Sequence, residues 1–187
     1  MSGAVTAERS TTWNIDPGHS GVHFSVKHLV VASVRGQFEK VSGSVVIDRL
    51  NPANSSVHAV IEAASVNTRE AQRDAHLRSP DFLDVEQFTT IEFRSTQVAP
   101  SEGGYTVTGA LTIHGVTRPV VLAVETSDLE IRDPWGNLKR GATATARINR
   151  KDFGLTWNVA LEAGGFVVGD EVRIEIDVEL VNQPETA

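Results

Sequence analysis

Three histidines crowd the first apolar segment of the chain, His19, His23 and His28, and imidazole is a common ligand for zinc and similar metals. On an extended backbone His19 and His23 share a face at a spacing of four, while His28 has the opposite parity. Three ligands therefore do not converge on one ion, and the chain has no cysteine to complete a set. The expectation is a structural role and no metal. A second group, Arg73, Asp74 and His76 near Ser79, has the residue types of a Ser/His/Asp hydrolase, and Ser20 is another hydroxyl within Gly18-His19-Ser20-Gly21. Neither serine sits in the G-x-S-x-G turn that exposes a nucleophile. An Arg/Asp pair beside a histidine is also what fastens a loop to a scaffold, so no catalytic residue is assigned and the chain is not expected to be an enzyme. Gly103-Gly104 and Gly164-Gly165 lack the helix that a phosphate cradle needs directly after them. They are expected to be turns.

The elements that position these residues are mostly strands. Apolar and polar residues alternate at Val172, Ile174, Ile176, Val178 and Leu180 against Glu171, Arg173, Glu175, Asp177 and Glu179, the pattern of a strand with one wet face. The same period runs through Val22, Phe24 and Val26, through Val57 to Ala63, through Ile91 and Phe93, and along 105–113, 119–125 and 141–148. A long run over 34–47 is broken near 39–43, which predicts a bulge or tight turn. About eight strands result, with no helical period between them. Residues 67–84 (NTREAQRDAHLRSPDFLD) differ, being rich in helix formers behind an Asn/Thr capping candidate, and predict one or two helical turns interrupted at Pro80.

The 187 residues form one unit, with no linker and no repeat. A net charge of −7 supplies no basic field for a phosphate backbone, so no nucleic-acid partner is expected. No stretch approaches the roughly eighteen apolar residues of a membrane-spanning helix. Residues 1–12 hold no apolar run of the length a secretory signal needs; they are assigned as a disordered leader, and the protein as cytoplasmic.

Eight alternating antiparallel strands remove their own edges by closing. A barrel of that size either fills with side chains or holds one ligand. Ala59, Ala63, Gly109, Ala142, Ala144 and Ala146 fall on faces assigned to the interior. They leave a void for an apolar guest, or they make room for Phe24, Phe38 and Phe93. Periodicity leaves both open. Trp157 and Phe166 are candidates for a cavity mouth, whereas Trp135, in the 133–137 turn (DPWGN), is expected to pack against the protein.

Several motifs carry a resemblance. Trp13-Asn14-Ile15-Asp16-Pro17-Gly18-His19-Ser20 followed by Phe24, Val26 and His28 is similar to the opening of the YceI-like polyisoprenoid-binding proteins. Arg73-Asp74-Ala75-His76-Leu77 with Ser79, Asp81 and Phe82 resembles that family's helical insertion, and Ile91-Glu92-Phe93 the strand after it. Leu111-Thr112-Ile113-His114-Gly115-Val116-Thr117, Arg150-Lys151-Asp152-Phe153-Gly154-Leu155 and Val168-Gly169-Asp170-Glu171-Val172 resemble its later elements, in order. One departure is local: 85–90 (VEQFTT) lacks the aromatic-proline pair common among relatives.

The resemblance implies an all-β fold, an extended eight-stranded antiparallel lipocalin-like β-barrel with a short helical insertion, over residues 13–182, with 183–187 as a flexible tail. It implies an occupied interior that binds, stores or transports a long-chain polyisoprenoid lipid of the isoprenoid quinone or polyprenyl type, commonly as a homodimer, with no cofactor beyond that ligand. The residues expected on the ligand are Phe24, Val26, Phe38, Ile61, Leu77, Phe82, Phe93, Leu111, Ile113, Phe153, Trp157 and Phe166. His19 and His114 are candidates for its head group, and Arg73, Asp74 and His76 for fastening the insertion over the barrel. The rival readings are an enzyme that modifies such a lipid and an interaction module with a filled core.

Overall fold

The computed structural model describes residues 10–29, 31–126, 129–162 and 164–182. Its strands, in chain order, are β1 (Ser10–Ile15), β2 (Gly21–His28), β3 (Ala32–Phe38), β4 (Val41–Asp48), β5 (Ser56–Glu62), β6 (Val66–Asn67), β7 (Thr90–Ser101), β8 (Gly104–Ile113), β9 (Val116–Thr126), β10 (Ile131–Arg132), β11 (Leu138–Asn149) and β12 (Val168–Asn182), with one helix, α1 (Ala71–Arg78). Alternation sets which side of each strand is wet: in β12 Glu171, Arg173, Glu175 and Asp177 are exposed while Val172, Ile174, Ile176 and Val178 turn inward.

Closure comes from β11, which pairs with β9 on one edge and along its whole length with β12 on the other, from Leu138 opposite Asn182 to Asn149 opposite Glu171. The free edge of β12 is shared by two short strands, with Ile15 of β1 opposite Leu180 and Val22 of β2 opposite Ile176. β3 and β4 lie beside that pair, and β6 and β5 beside those. Taken as bent strands, β1/β2, β3/β4 and β5/β6 join β7, β8, β9, β11 and β12 in an eight-stranded antiparallel barrel. β10 is a flap on β11.

The break predicted within 34–47 falls between Phe38 and Val41. The neighbouring strand breaks alongside it, in the 3-10 turn Ala63–Ser65, where Glu39 N donates to Ser65 O at 3.2 Å and Glu62 N to Lys40 O at 3.0 Å. Each interruption thus satisfies the backbone groups that the other leaves. At Gly43, φ is +140°, and a Cβ would lie 2.1 Å from the carbonyl oxygen of His58, so only glycine lets β4 approach β5. In β7 the register shifts between Ser95 and Gln97, a bulge that brings Val98 to the same inward side as Phe93.

Two expectations need adjustment here. The leader assigned to 1–12 is too long, because Ser10 to Thr12 pair with Asp48 to Val46; polar threonines hid the alternation with Trp13 and Ile15. The rest of that leader, and the tail at 183–187, lie outside the described residues. The helix is capped by Glu70, whose carboxylate accepts from Gln72 N and Arg73 N. Asn67 and Thr68 instead bond Arg69 N and Asp74. Among the described residues no helix is long and apolar enough to cross a membrane.

Candidate functional site

The inward faces of the strands enclose a cavity of about 840 Å³, within the roughly 300–1,000 Å³ that small-molecule sites occupy. Phe24, Val26, Phe38, Ile61, Leu77, Phe82, Phe93, Leu111, Ile113 and Trp157 line it, as do Ala59, Ala142 and Ala144. The small residues divide between the two roles open in the sequence. Ala63 and Ala146 sit in the packed core instead of on the wall, and Gly109 lies beneath the Phe93 ring, where a Cβ would come within 2.4 Å of Cζ.

Two of the expected aromatic residues lie elsewhere. Phe153 belongs to the 3-10 turn Arg150–Phe153 and is fully buried in the core cluster, off the cavity wall; the two-residue period of β11 does not carry through that turn. Phe166 is exposed, with the Lys151 ammonium 5.7 Å from its ring centroid.

Neither head-group candidate borders the cavity. His114 and Gly115 form the two-residue β8–β9 turn with φ of 51° and 71°, the left-handed pair such hairpins require. The His114 ring packs on Phe88 at 4.6 Å. His19 lies in the β1–β2 turn, its Nδ1 3.1 Å from Asp16 Oδ2 and 3.7 Å from Glu179 Oε1. These three side chains are spaced like a metal site, but Lys139 Nζ stands 2.8 Å from both carboxylates and already supplies the cation. Hydrogen bonds from Lys139 and then His19 hold the Asp16 carboxyl well below the usual range, and the same carboxylates raise Lys139. The group is a clamp joining β11, β12 and the first turn.

One end of the cavity is roofed by α1 and the segment after β11. His76 meets Trp157 edge-on at 4.6 Å and Phe82 at 5.0 Å, and its Nε2 is 2.9 Å from Asp81 Oδ2. Fastening is done by neighbouring residues. Buried Asp74 accepts from Thr68 N at 2.8 Å, Arg73 donates to Thr68 Oγ1 and O, and Arg78 donates to Ala64 O and Val66 O. Arg150, almost wholly buried, donates to the carbonyls of Leu155, Trp157, Val168 and Gly169. Burial lowers its pKa, and Asp170 offsets part of that.

The opposite end holds charged residues that sequence reasoning missed. Arg49, Glu130 and Arg140 border the cavity, with Glu130 accepting from Arg49 Nη2 at 2.5 Å and Arg140 Nη1 at 3.4 Å. A signal for Arg140 existed, since it shares the inward parity of Ala142 and Ala144 on β11.

Comparison with known proteins agrees with this geometry. The UPF0312 protein YE1254 of Yersinia enterocolitica is 42% identical over 161 residues, covering 86% of this chain and 80% of that protein. The crystal structure of Burkholderia cenocepacia BcnA superposes with a TM-score of 0.74 at 25% identity, over 90% of this chain and 99% of that one. A polyisoprenoid binding domain from Saccharophagus degradans shares the fold, with a TM-score of 0.63 at 16% identity over 91% and 98% of the two chains. The model of the YceI-like domain matches residues 13–180, and the chain belongs to the YceI-like family.

Proposed function

We propose that the protein binds a long-chain polyisoprenoid lipid, of the isoprenoid quinone or polyprenyl type, for storage or transport, and does not turn it over. The observation that carries this reading is a cavity of about 840 Å³ with an apolar wall, kept open by Ala59, Ala142 and Ala144. An unfilled apolar void forfeits dispersion contacts on its lining, which a hydrocarbon guest restores. Burial gains about 0.8 kcal/mol per methylene, so each five-carbon unit contributes about 3 to 4 kcal/mol before ordering costs. Affinity then accumulates along the chain with little help from a head group. The description of the Saccharophagus relative as polyisoprenoid-binding supports the same ligand class.

A binder is favoured over an enzyme by the polar groups at the roof. His76 bonds Asp81 and is wedged between aromatic rings, and Arg73 is spent on Thr68. Among the described residues no hydroxyl nucleophile bonds the His76 ring. Homodimerisation is part of the proposal. Native mass spectrometry of the purified protein tests all three points. The expected spectrum shows a dimer with one isoprenoid mass per barrel, unchanged after long incubation; a barrel that is empty and takes up no polyprenyl lipid overturns the reading.

A further inference from the structure

At the barrel end opposite α1, two connections meet over the cavity, the bend after β4 with Arg49 and Leu50, and the segment entering β10. Glu130 joins them through Arg49 and Arg140. In extended chain the residues on either side of an inward group point outward, and Leu129 and Ile131 are 63% and 57% exposed. Leu50, beside Arg49, is 80% exposed, and Trp135 is 83% exposed. The expectation that Trp135 packs is therefore wrong, for a local reason. Asp133 Oδ1 accepts from Trp135 N and Asn137 N, its Oδ2 accepts from Asn137 Nδ2, and Arg132 donates to Gly136 O. The turn is closed by its own polar groups and holds the indole out in water.

Four large apolar side chains at one mouth, a tryptophan among them, have the composition of a surface that enters a lipid interface; Arg132 stands beside the Trp135 turn to meet head groups, whereas Arg49 is already paired with Glu130. Among the described residues the other mouth presents less: Leu29, Val159 and Phe166 are 39–54% exposed, with the Lys151 ammonium 5.7 Å from the Phe166 ring centroid, and Val31 reaches 84%. We propose that the Leu50, Leu129, Ile131 and Trp135 rim is the face that the protein sets on a phospholipid bilayer. The proposal rests on the lipid-cargo reading for its purpose. A water-insoluble chain resides in a bilayer, and a mouth seated there passes it inward without exposing its methylenes to water.

Tryptophan fluorescence distinguishes the ends, because Trp13 is fully buried, Trp157 lies in the α1 roof and Trp135 at the opposite rim. The probe is vesicles of phosphatidylethanolamine and phosphatidylglycerol with brominated acyl chains, containing no isoprenoid. The expected result is quenching that Trp135→Phe abolishes and Trp157→Phe retains. Replacing both Leu50 and Trp135 with serine weakens vesicle binding at least about tenfold without lowering Tm. Absence of quenching in the unaltered protein overturns the proposal, as does quenching that follows Trp157. Loss of self-association in Trp135→Ser with no vesicle binding assigns the rim to a second copy and also overturns it. Because these vesicles carry no cargo, failure here leaves the mass-spectrometric test of binding unaffected.

Discussion

The His76 imidazole stands at 87° to the Trp157 indole with centroids 4.6 Å apart, and this contact joins α1 to the segment that leads into β12. Phe82 leans on the same indole at 5.3 Å. Three rings, from α1, the turn after it and the segment after β11, thus close one end of the cavity.

Removing the indole opens that roof. Trp157→Ala is expected to speed release of a bound fluorescent polyprenyl analogue at least about tenfold in stopped flow and to cost about 2 kcal/mol of stability, the half-buried counterpart of a core aromatic truncation. Unchanged release shows that the indole does not seal that end of the cavity.

Filling the barrel from within tests the wall. Ala144 lines the cavity on β11 opposite Ile176 of β12. Ala144→Phe adds a ring to empty space and is expected to abolish lipid uptake while leaving Tm unchanged or raised, since it makes contacts the void lacked. A loss of both uptake and stability means that the space is not open.

Arg150→Met removes the guanidinium donor from the carbonyls of Leu155, Trp157 and Gly169 in a buried site, while Val168 O keeps its 2.7 Å bond from Asn158 Nδ2. Destabilisation of about 3 kcal/mol is expected in urea titrations. Faster amide exchange confined to 154–158 and 166–169 distinguishes this local release from global weakening.

Acid acts on the Asp16–Lys139–Glu179 clamp. Asp16 is lowered by its bonds to Lys139 and His19. A carboxyl lowered in the fold contributes fully above its unfolded pKa of about 3.9, and loses that contribution as pH falls through the folded value. Lys139, raised by the same contacts, contributes fully below about 10.4 and loses it only at more alkaline pH. Asp16→Asn is therefore expected to lower Tm by a few degrees at neutral pH and by much less in strong acid, as read by melts across pH.

The wall of the barrel was legible because a period of two survives wherever strands are continuous. Phe24 and Val26 on β2, and Leu111 and Ile113 on β8, reach the cavity by parity alone. Parity ends at turns, which is where the misplaced residues fall: Phe153 in a 3-10 turn, His114 in a left-handed hairpin and His19 in the first connection. Trp135 shows a different limit. Hydrophobicity argues for burial, but the hydrogen bonds of its own turn decide its position. Arg140 was within reach, because its parity matches Ala142; a charge on an inward face was the signal.

In the proposed function the hydrocarbon chain supplies the affinity. Titration calorimetry with a series of prenols that differ by single isoprene units tests it directly. The Kd is expected to fall at least about tenfold per added unit until the cavity is full, and to change little when the terminal hydroxyl is replaced by a ketone or phosphate. Affinity that is flat with chain length, or that follows the head group, rules out the hydrocarbon chain as the source of binding.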